Sequence, residues 1–508
     1  MSNDTIDRDG GEPTGRKSSK GETASGRPSE GGLDPMRWKA LGVIAIASLM
    51  VVLDASIVNI ALPSAQKDLS ISDADRQWVV TAYTLAFGGL LLLGGRIADF
   101  TGRKKAFILG LIGFAGASAL GGIAPSGELL FAARALQGAF AALLAPAALS
   151  LIAVTFTEPH ERARAFGVYG AISGGGAAIG LIVGGVLTEY ASWRWCLLVN
   201  VPIALVTAFF AVRIVKESKA SGDTKYDVPG AVAVTGGLVA LVYGFTQVAA
   251  HGWGSSQTIT YLVIAAVLLV AFVIIELKTA HPLLPVRVVL ERNRGGAYLS
   301  ALLVGAGLFA MFLFVSYYFQ QTLGYSALRS GFAFLPFSGG VIVAAGISSQ
   351  VLPRTGPRVP MLIGFFFAVM GFLLFAQLDV DSSYVSVALP AQILTSLGMG
   401  LIFVPMSSAA LIGVSDHDAG VASALINTSQ QVGGSLGTAL MNTIAATATA
   451  TYITNHGPDS AAAGAVHGYA VTFYISAALL TATALIVGLM ITAKKEDMAH
   501  TDAMPVGV

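Results

Sequence analysis

The sequence is dominated by long apolar runs, separated by short segments that carry most of the charged residues. Two of these runs, residues 78–94 and 106–124, contain no charged side chain. At ~1.5 Å per residue in a helix, each run can cross a hydrocarbon core of ~30 Å. Hydrophobic residues make up 54% of the 508 residues and charged residues 12%, proportions that a water-soluble domain of this size would hardly reach. The sequence therefore predicts an all-α protein that crosses a membrane many times.

Counting the apolar runs gives about fourteen candidate membrane spans. They lie near residues 40–62, 77–95, 105–124, 129–153, 165–187, 195–215, 229–248, 258–276, 296–320, 330–352, 359–377, 384–413, 419–445 and 467–493. Charge-rich linkers near residues 213–228 and 278–295 divide the spans into groups of six, two and six. We therefore predict a six-helix bundle at residues 37–216, a linker with two inserted spans at 217–278, and a second six-helix bundle at 279–494.

The two ends of the chain are polar, and the loop charges indicate on which side of the membrane they lie. Residues 1–36 are rich in Gly, Ser and charged side chains, so they cannot bury enough apolar surface to fold. Most loop lysines and arginines follow even-numbered spans, and the opposite loops hold only Lys67, Arg76, Arg194 and Arg329. Because basic loops stay on the cytoplasmic side, we predict that residues 1–36 and 495–508 are cytoplasmic tails.

A charged turn separates the second and third spans. Residues 95–105 read Gly-Arg-Ile-Ala-Asp-Phe-Thr-Gly-Arg-Lys-Lys. Gly95 allows a close helix approach, Asp99 can accept charge-assisted hydrogen bonds, and Arg103 and Lys104 can donate them. Such a cluster can latch two helix ends together at a membrane surface, although its cations would also be explained as a topology signal.

With Gly95, Asp99, Gly102, Arg103 and Lys104 at these offsets, the turn resembles the loop between the second and third helices of the major facilitator superfamily. The resemblance extends over nearly all of the chain after residue 37 and is to the fourteen-span drug:proton antiporters. It implies two six-helix bundles with two inserted helices, a substrate path between the bundles, and alternating access by their rocking. It also implies that this loop is a gating loop.

Asp54 and Arg134 are ionisable residues that the sequence places inside membrane spans. Removing a carboxylate from water disfavours its charged form, so Asp54 is a candidate for binding and releasing a proton. Arg134 lies at a depth where it can meet Asp54, and Gln137 shares its helical face. In the resembled family, an aspartate of this first-helix motif is linked to proton coupling or to cationic drugs. The alternatives are a permanent structural pair for Asp54 and a bond to the backbone of a neighbouring helix for Arg134.

The fifth span is rich in glycine. Gly176, Gly180, Gly184 and Gly185 follow a spacing that allows close helix packing. This is where the resembled family carries its antiporter motif, but Leu181 stands where that motif usually has proline. The glycines are therefore interpreted either as a gating element or as a purely structural packing seam.

The second bundle offers uncharged hydrogen-bonding groups to a cargo molecule. We predict a substrate cleft that would suit a bulky amphipathic ligand. Its candidate residues are Gln137, Tyr317, Tyr318, Gln321, Asn427 and Gln431. Helix packing alone would explain about half of the polar residues in this bundle.

Several function classes are disfavoured by what the sequence contains. The single Cys196 excludes an intramolecular disulfide, and the scattered histidines do not suggest a metal site. We find no nucleotide-binding motif, so a membrane enzyme or sensor and an ATP-driven pump are the weaker hypotheses. We predict a monomeric exporter in the bacterial plasma membrane that uses the proton gradient, needs no cofactor and binds no nucleic acid. Its cargo would be amphipathic drugs or, alternatively, one dedicated secondary metabolite or siderophore.

Overall fold

The computed structural model describes residues 36–73, 75–156, 158–219, 227–279, 282–283, 289–414 and 419–494. The two predicted tails, apart from Met36, lie outside the described residues, as does part of each charge-rich linker. The described chain is helical and contains no strand within these ranges. A helix is present at each position where the sequence predicts a span.

Seven helices precede the first linker within the described residues. They are α1 (Arg37–Asp68), α2 (Trp78–Thr101), α3 (Arg103–Gly122), α4 (Gly127–Thr155), α5 (Pro159–Tyr190), α6 (Trp195–Leu198) and α7 (Asn200–Ile214). α6 and α7 together form the sixth predicted span. The inserted pair follows as α8 (Val228–His251) and α9 (Ser256–Lys278).

The second half contains α10 (Arg292–Tyr317), α11 (Ala327–Ala333), α12 (Leu335–Thr355), α13 (Arg358–Phe375), α14 (Leu389–Ala409), α15 (Ala419–His456) and α16 (Ala461–Met490). A π-helical turn, Tyr318–Thr322, extends α10, and another, Tyr384–Ala388, precedes α14. Among the described residues, twelve helical segments are long and apolar enough to cross a membrane. α5 and α15 occupy the two remaining predicted positions, so the architecture is that of a multi-pass membrane protein.

Small residues allow the helices of the first half to pack closely around the centre of the bundle. α4 packs against both α2 and α3, and α1 packs against α5. A Cβ atom added at Gly138 of α4 would lie 2.2 Å from the carbonyl oxygen of Tyr83 on α2. A Cβ atom at Gly94 of α2 would lie 2.1 Å from the carbonyl oxygen of Ala142 on α4. The α2–α4 contact therefore depends on glycine on both helices.

Among the described residues, the most extensive contacts between the two halves form two seams. α2 packs against α15 along one seam, and α5 packs against α11 and α12 along the other. The inserted helix α8 contacts α9, α2 and α15, so it packs beside the first seam and touches both halves. The Gln77 amide donates to the hydroxyl of Thr246 at 2.8 Å, and Thr443 donates to the carbonyl of Phe245 at 2.9 Å. These bonds connect α8 to both halves.

Candidate functional site

Asp54 lies in the middle of α1 and is completely buried, with 0% of its surface exposed. Its Oδ2 atom accepts a hydrogen bond from Arg134 Nη1 at 2.6 Å. Its Oδ1 atom accepts from Gln137 Nε2 at 3.0 Å and from Asn200 Nδ2 at 2.8 Å. The carboxylate is therefore held by donors from α4 and from the first residue of α7.

Arg134 is the cation of this buried pair and is only 1% exposed. Its Nε atom donates to the carbonyl of Val79, in the first turn of α2, at 2.8 Å. Its Nη1 atom also donates to Gln137 Oε1 at 2.9 Å, and its guanidinium lies 4.5 Å from the centre of the Tyr83 ring. Arg134 thus touches α1 and α2 from its own position on α4, which makes the pair sensitive to any relative movement of these three helices.

Two members of this network, Asn200 and Ser118, were not predicted as site residues. Gln137 Nε2 donates to the hydroxyl of Ser118 on α3 at 2.7 Å. Asn200 is the first residue of α7, after Val199, and its side chain reaches Asp54 on α1 at 2.8 Å. An asparagine two residues before a proline within an apolar span is the sequence signal that could have identified it.

The predicted gating loop forms contacts within the first half. Asp99 accepts from Arg103 at 2.8 Å across the junction of α2 and α3. The Lys104 side chain donates to the carbonyl of Val212, near the end of α7, at 2.7 Å. Gly95 lies one helix turn earlier, where an added Cβ atom would be 3.4 Å from Pro146 of α4. The loop therefore connects the ends of α2, α3 and α7 that are predicted to lie on the inner side.

Gly102 and Glu217 complete this loop, and Glu217 was not predicted to belong to it. Gly102 has a φ of +118°, a backbone conformation that side chains with a Cβ atom rarely adopt. A Cβ atom there would lie 2.8 Å from the Glu217 carboxyl group. Glu217 accepts from the backbone N–H of Lys104 at 3.1 Å, and Ser218 accepts from the backbone N–H of Arg103 at 2.9 Å. The segment that leads to the inserted pair is therefore bonded to the loop.

The glycines of α5 serve two different helix contacts. Gly176, Gly180 and Gly184 face α1, where added Cβ atoms would lie 3.0, 2.0 and 2.8 Å from side-chain atoms of that helix. Gly185 instead faces α11, and a Cβ atom there would lie 2.6 Å from the Cα atom of Leu328. The first three glycines bring α5 against the helix that carries Asp54. The fourth lies on the seam between the halves.

The predicted cleft residues of the second half are separated in the structure. Tyr317 is buried under a cation from the first half, and its hydroxyl donates to Gln66. Tyr318 is also buried, but it points within the second half and donates to the carbonyls of Asp379 and Ser382.

Gln431 lies on α15 where α2 approaches, with its Cβ atom 3.1 Å from a Cβ added at Gly88. Asn427, one turn earlier on α15, is exposed, and Gln137 belongs to the Asp54 network instead. The structure therefore does not bring the six predicted cleft residues together.

Gln321 lies at a cavity between the two halves. The cavity has a volume of about 660 Å³ and is formed at the predicted outer ends of α1, α5, α10 and α11. Gln66, Lys67, Glu189 and Tyr325 also line it. Among the described residues, no group of three or more His, Cys, Asp and Glu side chains is arranged to hold a metal ion.

The comparison with known proteins identifies the family. Residues 44–438 match the sequence profile of the Major Facilitator Superfamily. The chain belongs to this superfamily. It is similar to the puromycin resistance protein pur8 of Streptomyces alboniger, with 49% identity over 481 residues that cover 94% of this chain and 95% of that protein. It is also similar to the cephamycin export protein CmcT of Amycolatopsis lactamdurans, with 38% identity over 437 residues, 85% of this chain and 89% of that protein.

Solved structures agree on the fold. A bacterial homologue of the human lysosomal transporter Spinster, in an inward-facing and unoccupied conformation, matches with a TM-score of 0.64. The sequence identity is 15%, and the match covers 94% of this chain and 100% of that one. The predicted major facilitator architecture is therefore confirmed, and the chain is a member of a family of membrane transporters.

Proposed function

We propose that this protein exports amphipathic or lipophilic small molecules, antibiotics among them, across the bacterial plasma membrane in exchange for protons. The cargo class is supported by the relatives, which are named for resistance to puromycin and for export of cephamycin. Transport follows from alternating access, in which the two halves rock around a path between them. No cofactor takes part, because the proton gradient supplies the energy.

The proton step is assigned to the buried Asp54–Arg134 pair, and this observation carries the coupling part of the proposal. Three donors, one of them the Arg134 cation, surround the two carboxylate oxygens of Asp54, and proton binding is proposed to follow when Arg134 withdraws. Arg134 is bonded to both α1 and α2, and a change in their spacing breaks its contact with the carboxylate. Gln137 and Asn200 are uncharged donors that keep the carboxylate in place while the cation moves. Proton uptake then accompanies one conformation of the bundle and proton release the other.

The gating loop works at the predicted cytoplasmic surface. Its Asp99–Arg103 ion pair and its bonds to the segment after α7 are exposed or half-buried, so they can break and reform at moderate cost. The bias of loop lysines and arginines supports cytoplasmic N- and C-termini. Because both halves of the cargo path are supplied by one chain, we propose that a monomer is sufficient.

Cargo is proposed to contact uncharged side chains between the halves. Gln431 and Asn427 lie on α15 towards its inner end, whereas Tyr317 and Gln321 lie at the outer end of α10. The Asp54 carboxylate is buried and already bound, which disfavours direct recognition of a cationic cargo by this group. Amide and aromatic contacts suit bulky amphipathic compounds of differing charge.

Inverted membrane vesicles with a preformed pH gradient test this function directly. Adding puromycin, a cephalosporin and a set of lipophilic cations one at a time should dissipate the gradient for at least one compound. The same compound should have no effect on vesicles that contain Asp54→Asn. Asp381→Asn is the matched control, because Asp381 is an exposed carboxylate in the loop before α14 and should behave like the unaltered protein. Equal dissipation by Asp54→Asn would remove this carboxylate from the coupling step.

A dedicated exporter of one secondary metabolite is the second candidate. The names of both relatives refer to a single antibiotic or antibiotic class, which favours a narrow cargo range. Dissipation by one structural class alone would support a dedicated exporter, whereas dissipation by unrelated compounds would support multidrug export.

A further inference from the structure

Arg76 has an unusual environment for a residue in a loop. It lies between α1 and α2 on the predicted outer side, yet only 6% of its surface is exposed. Its guanidinium carbon lies 4.2 Å from the centre of the Tyr317 ring on α10. Its Nε atom donates to Asn442 Oδ1 on α15 at 3.1 Å. Arg76 belongs to the first half, and both of these partners belong to the second.

The acidic partner of Arg76 does not account for this burial. Asp73 lies 3.3 Å from Arg76 Nη1, but its side chain is 76% exposed, so this ion pair is largely screened by water. Desolvation makes the stacking of Arg76 on the aromatic ring and its bond to the amide more favourable than they would be in water. Because the ring and the amide come from the second half, Arg76 loses both when the outer ends separate. Its guanidinium then becomes hydrated, which limits the cost of opening.

Further bonds connect the halves at the same end of the molecule. Asn442 Nδ2 donates to the carbonyl of Asp73 at 2.9 Å. The Asn442 side chain is therefore bonded both to Arg76 and to the backbone of the loop that carries Arg76. The hydroxyl of Ser316, one residue before Tyr317, donates to the carbonyl of Asn59 on α1 at 2.8 Å. The outer side is therefore closed by short polar contacts in which Arg76 supplies a buried positive charge, while the exposed Glu189 carboxylate accepts from the backbone N–H of Leu328 at 3.0 Å.

The first turn of α2 links Arg76 to the ion pair inside the bundle. The backbone N–H of Val79 donates to the carbonyl of Arg76 at 3.3 Å. The carbonyl of Val79 accepts from Arg134 Nε at 2.8 Å. If Arg76 moves and the first turn of α2 moves with it, the Val79 carbonyl that binds Arg134 is displaced as well.

We propose that Arg76 is the residue that holds the outer side closed, and that its release from Tyr317 and Asn442 is a required step in opening the path to the outside. The assignment of this end to the outside rests on the proposed orientation of the chain. In this cycle, opening begins when Arg76 leaves the aromatic ring and enters water. Closing restores the stack and returns the first turn of α2 to its position against Arg134.

Thiol accessibility measures this opening without any need for a cargo molecule. The buried native cysteine is first removed by Cys196→Ala. Ser316→Cys is then added, and this reporter protein carries one thiol at a position that is buried while the outer side is closed. Cells or right-side-out vesicles are treated with a membrane-impermeant maleimide, and the labelling rate is recorded. Arg76→Ala should label at least about tenfold faster, equivalent to about 1.4 kcal/mol removed from the closed state.

Arg329→Ala is the matched control for the loss of an arginine that stacks on a ring. Arg329 is exposed, lies on the same predicted side and stacks on Tyr325 at 3.8 Å, but both residues belong to the second half. Its labelling rate should equal that of the reporter protein. The proposal is overturned when Arg76→Ala labels at the rate of Arg329→Ala.

Variants on the partner side give the same test if Arg76→Ala does not reach the membrane. Asn442→Ala and Tyr317→Leu should each speed labelling, whereas Tyr317→Phe keeps the ring and should change the rate less than Tyr317→Leu. Unchanged rates in both Asn442→Ala and Tyr317→Leu would reject the latch. Since labelling requires neither a cargo nor a pH gradient, its result is independent of the outcome of the vesicle assay for proton-coupled export.

Discussion

Replacing Asp54 by asparagine leaves the Arg134 guanidinium buried without its counter-ion. The guanidinium is 1% exposed, and its 2.6 Å contact with the carboxylate is the only ion pair that the structure gives it among the described residues. Removing one partner of a buried ion pair costs about 3–5 kcal/mol, because the remaining charge has lost its water as well as its partner. An asparagine oxygen can still accept one hydrogen bond from Arg134, so we expect a loss near the lower limit, about 3 kcal/mol.

The double variant Asp54→Asn/Arg134→Gln separates stability from coupling. It removes both charges, so the desolvation cost disappears together with the attraction, and most of the lost stability should return. It also removes the group that binds the proton, so transport should remain uncoupled. The two single variants and the double variant therefore form a cycle with a coupling energy of about 2–3 kcal/mol.

Unfolding of the purified protein in detergent, followed by tryptophan fluorescence against denaturant concentration, measures this cycle. Asp381→Asn, an exposed carboxylate, should unfold like the unaltered protein. The reasoning is refuted if Asp54→Asn unfolds at the same midpoint, or if the double variant is no more stable than Asp54→Asn. Either result would mean that the pair is hydrated or exchanges partners, and not a buried ion pair.

Three further substitutions test the geometry of the site and its surroundings. Gly138→Ala would place a methyl group 2.2 Å from a backbone carbonyl oxygen of α2 and should lower the free energy of unfolding in detergent by about 1–3 kcal/mol. At Gly116 an added Cβ atom has no other atom within 4 Å, so Gly116→Ala should change the same free energy by less than about 0.5 kcal/mol. Gly102→Ala must adopt a φ of +118° beside a carboxyl group, and it should slow cargo-dependent proton flux severalfold; normal flux would reduce the loop to a topology signal. Asn200→Ala removes a 2.8 Å donor to Asp54 and should lower coupled flux about tenfold while the protein still inserts; unchanged flux would show that this amide does not orient the carboxylate.

The number and order of the helices could be predicted because membrane insertion depends on one-dimensional properties. Hydrocarbon thickness fixes the length of an apolar run, and a backbone in lipid must satisfy its own hydrogen bonds, so each long run becomes a helix. The same reasoning identified Asp54 and Arg134, since a charge inside an apolar run stands out in the sequence. The sequence places both residues at comparable depths in the membrane, and in the structure Arg134 Nη1 lies 2.6 Å from Asp54 Oδ2.

The residues that the sequence did not reveal are those whose role depends on a neighbouring helix. Glu217 follows the last helix of the first half and has the composition of an ordinary charged linker, but it is bonded to the gating loop. Asn200 follows a segment whose tryptophans are explained by membrane anchoring. Its position two residues before a proline in an apolar span could single it out, but its contact with Asp54 depends on how α7 packs against α1.

The sequence by itself determined that this chain is a polytopic helical membrane protein of the major facilitator type, and which span carries each membrane-embedded charge. The tertiary structure alone decided which polar side chains are buried and what they bind. Arg76 and Arg329 both occur in predicted outer loops, yet Arg76 is 6% exposed and stacks across the two halves, while Arg329 stays at the surface. The physical reason is that burial depends on which helices approach one another in three dimensions. Hydropathy depends only on the residues within each span.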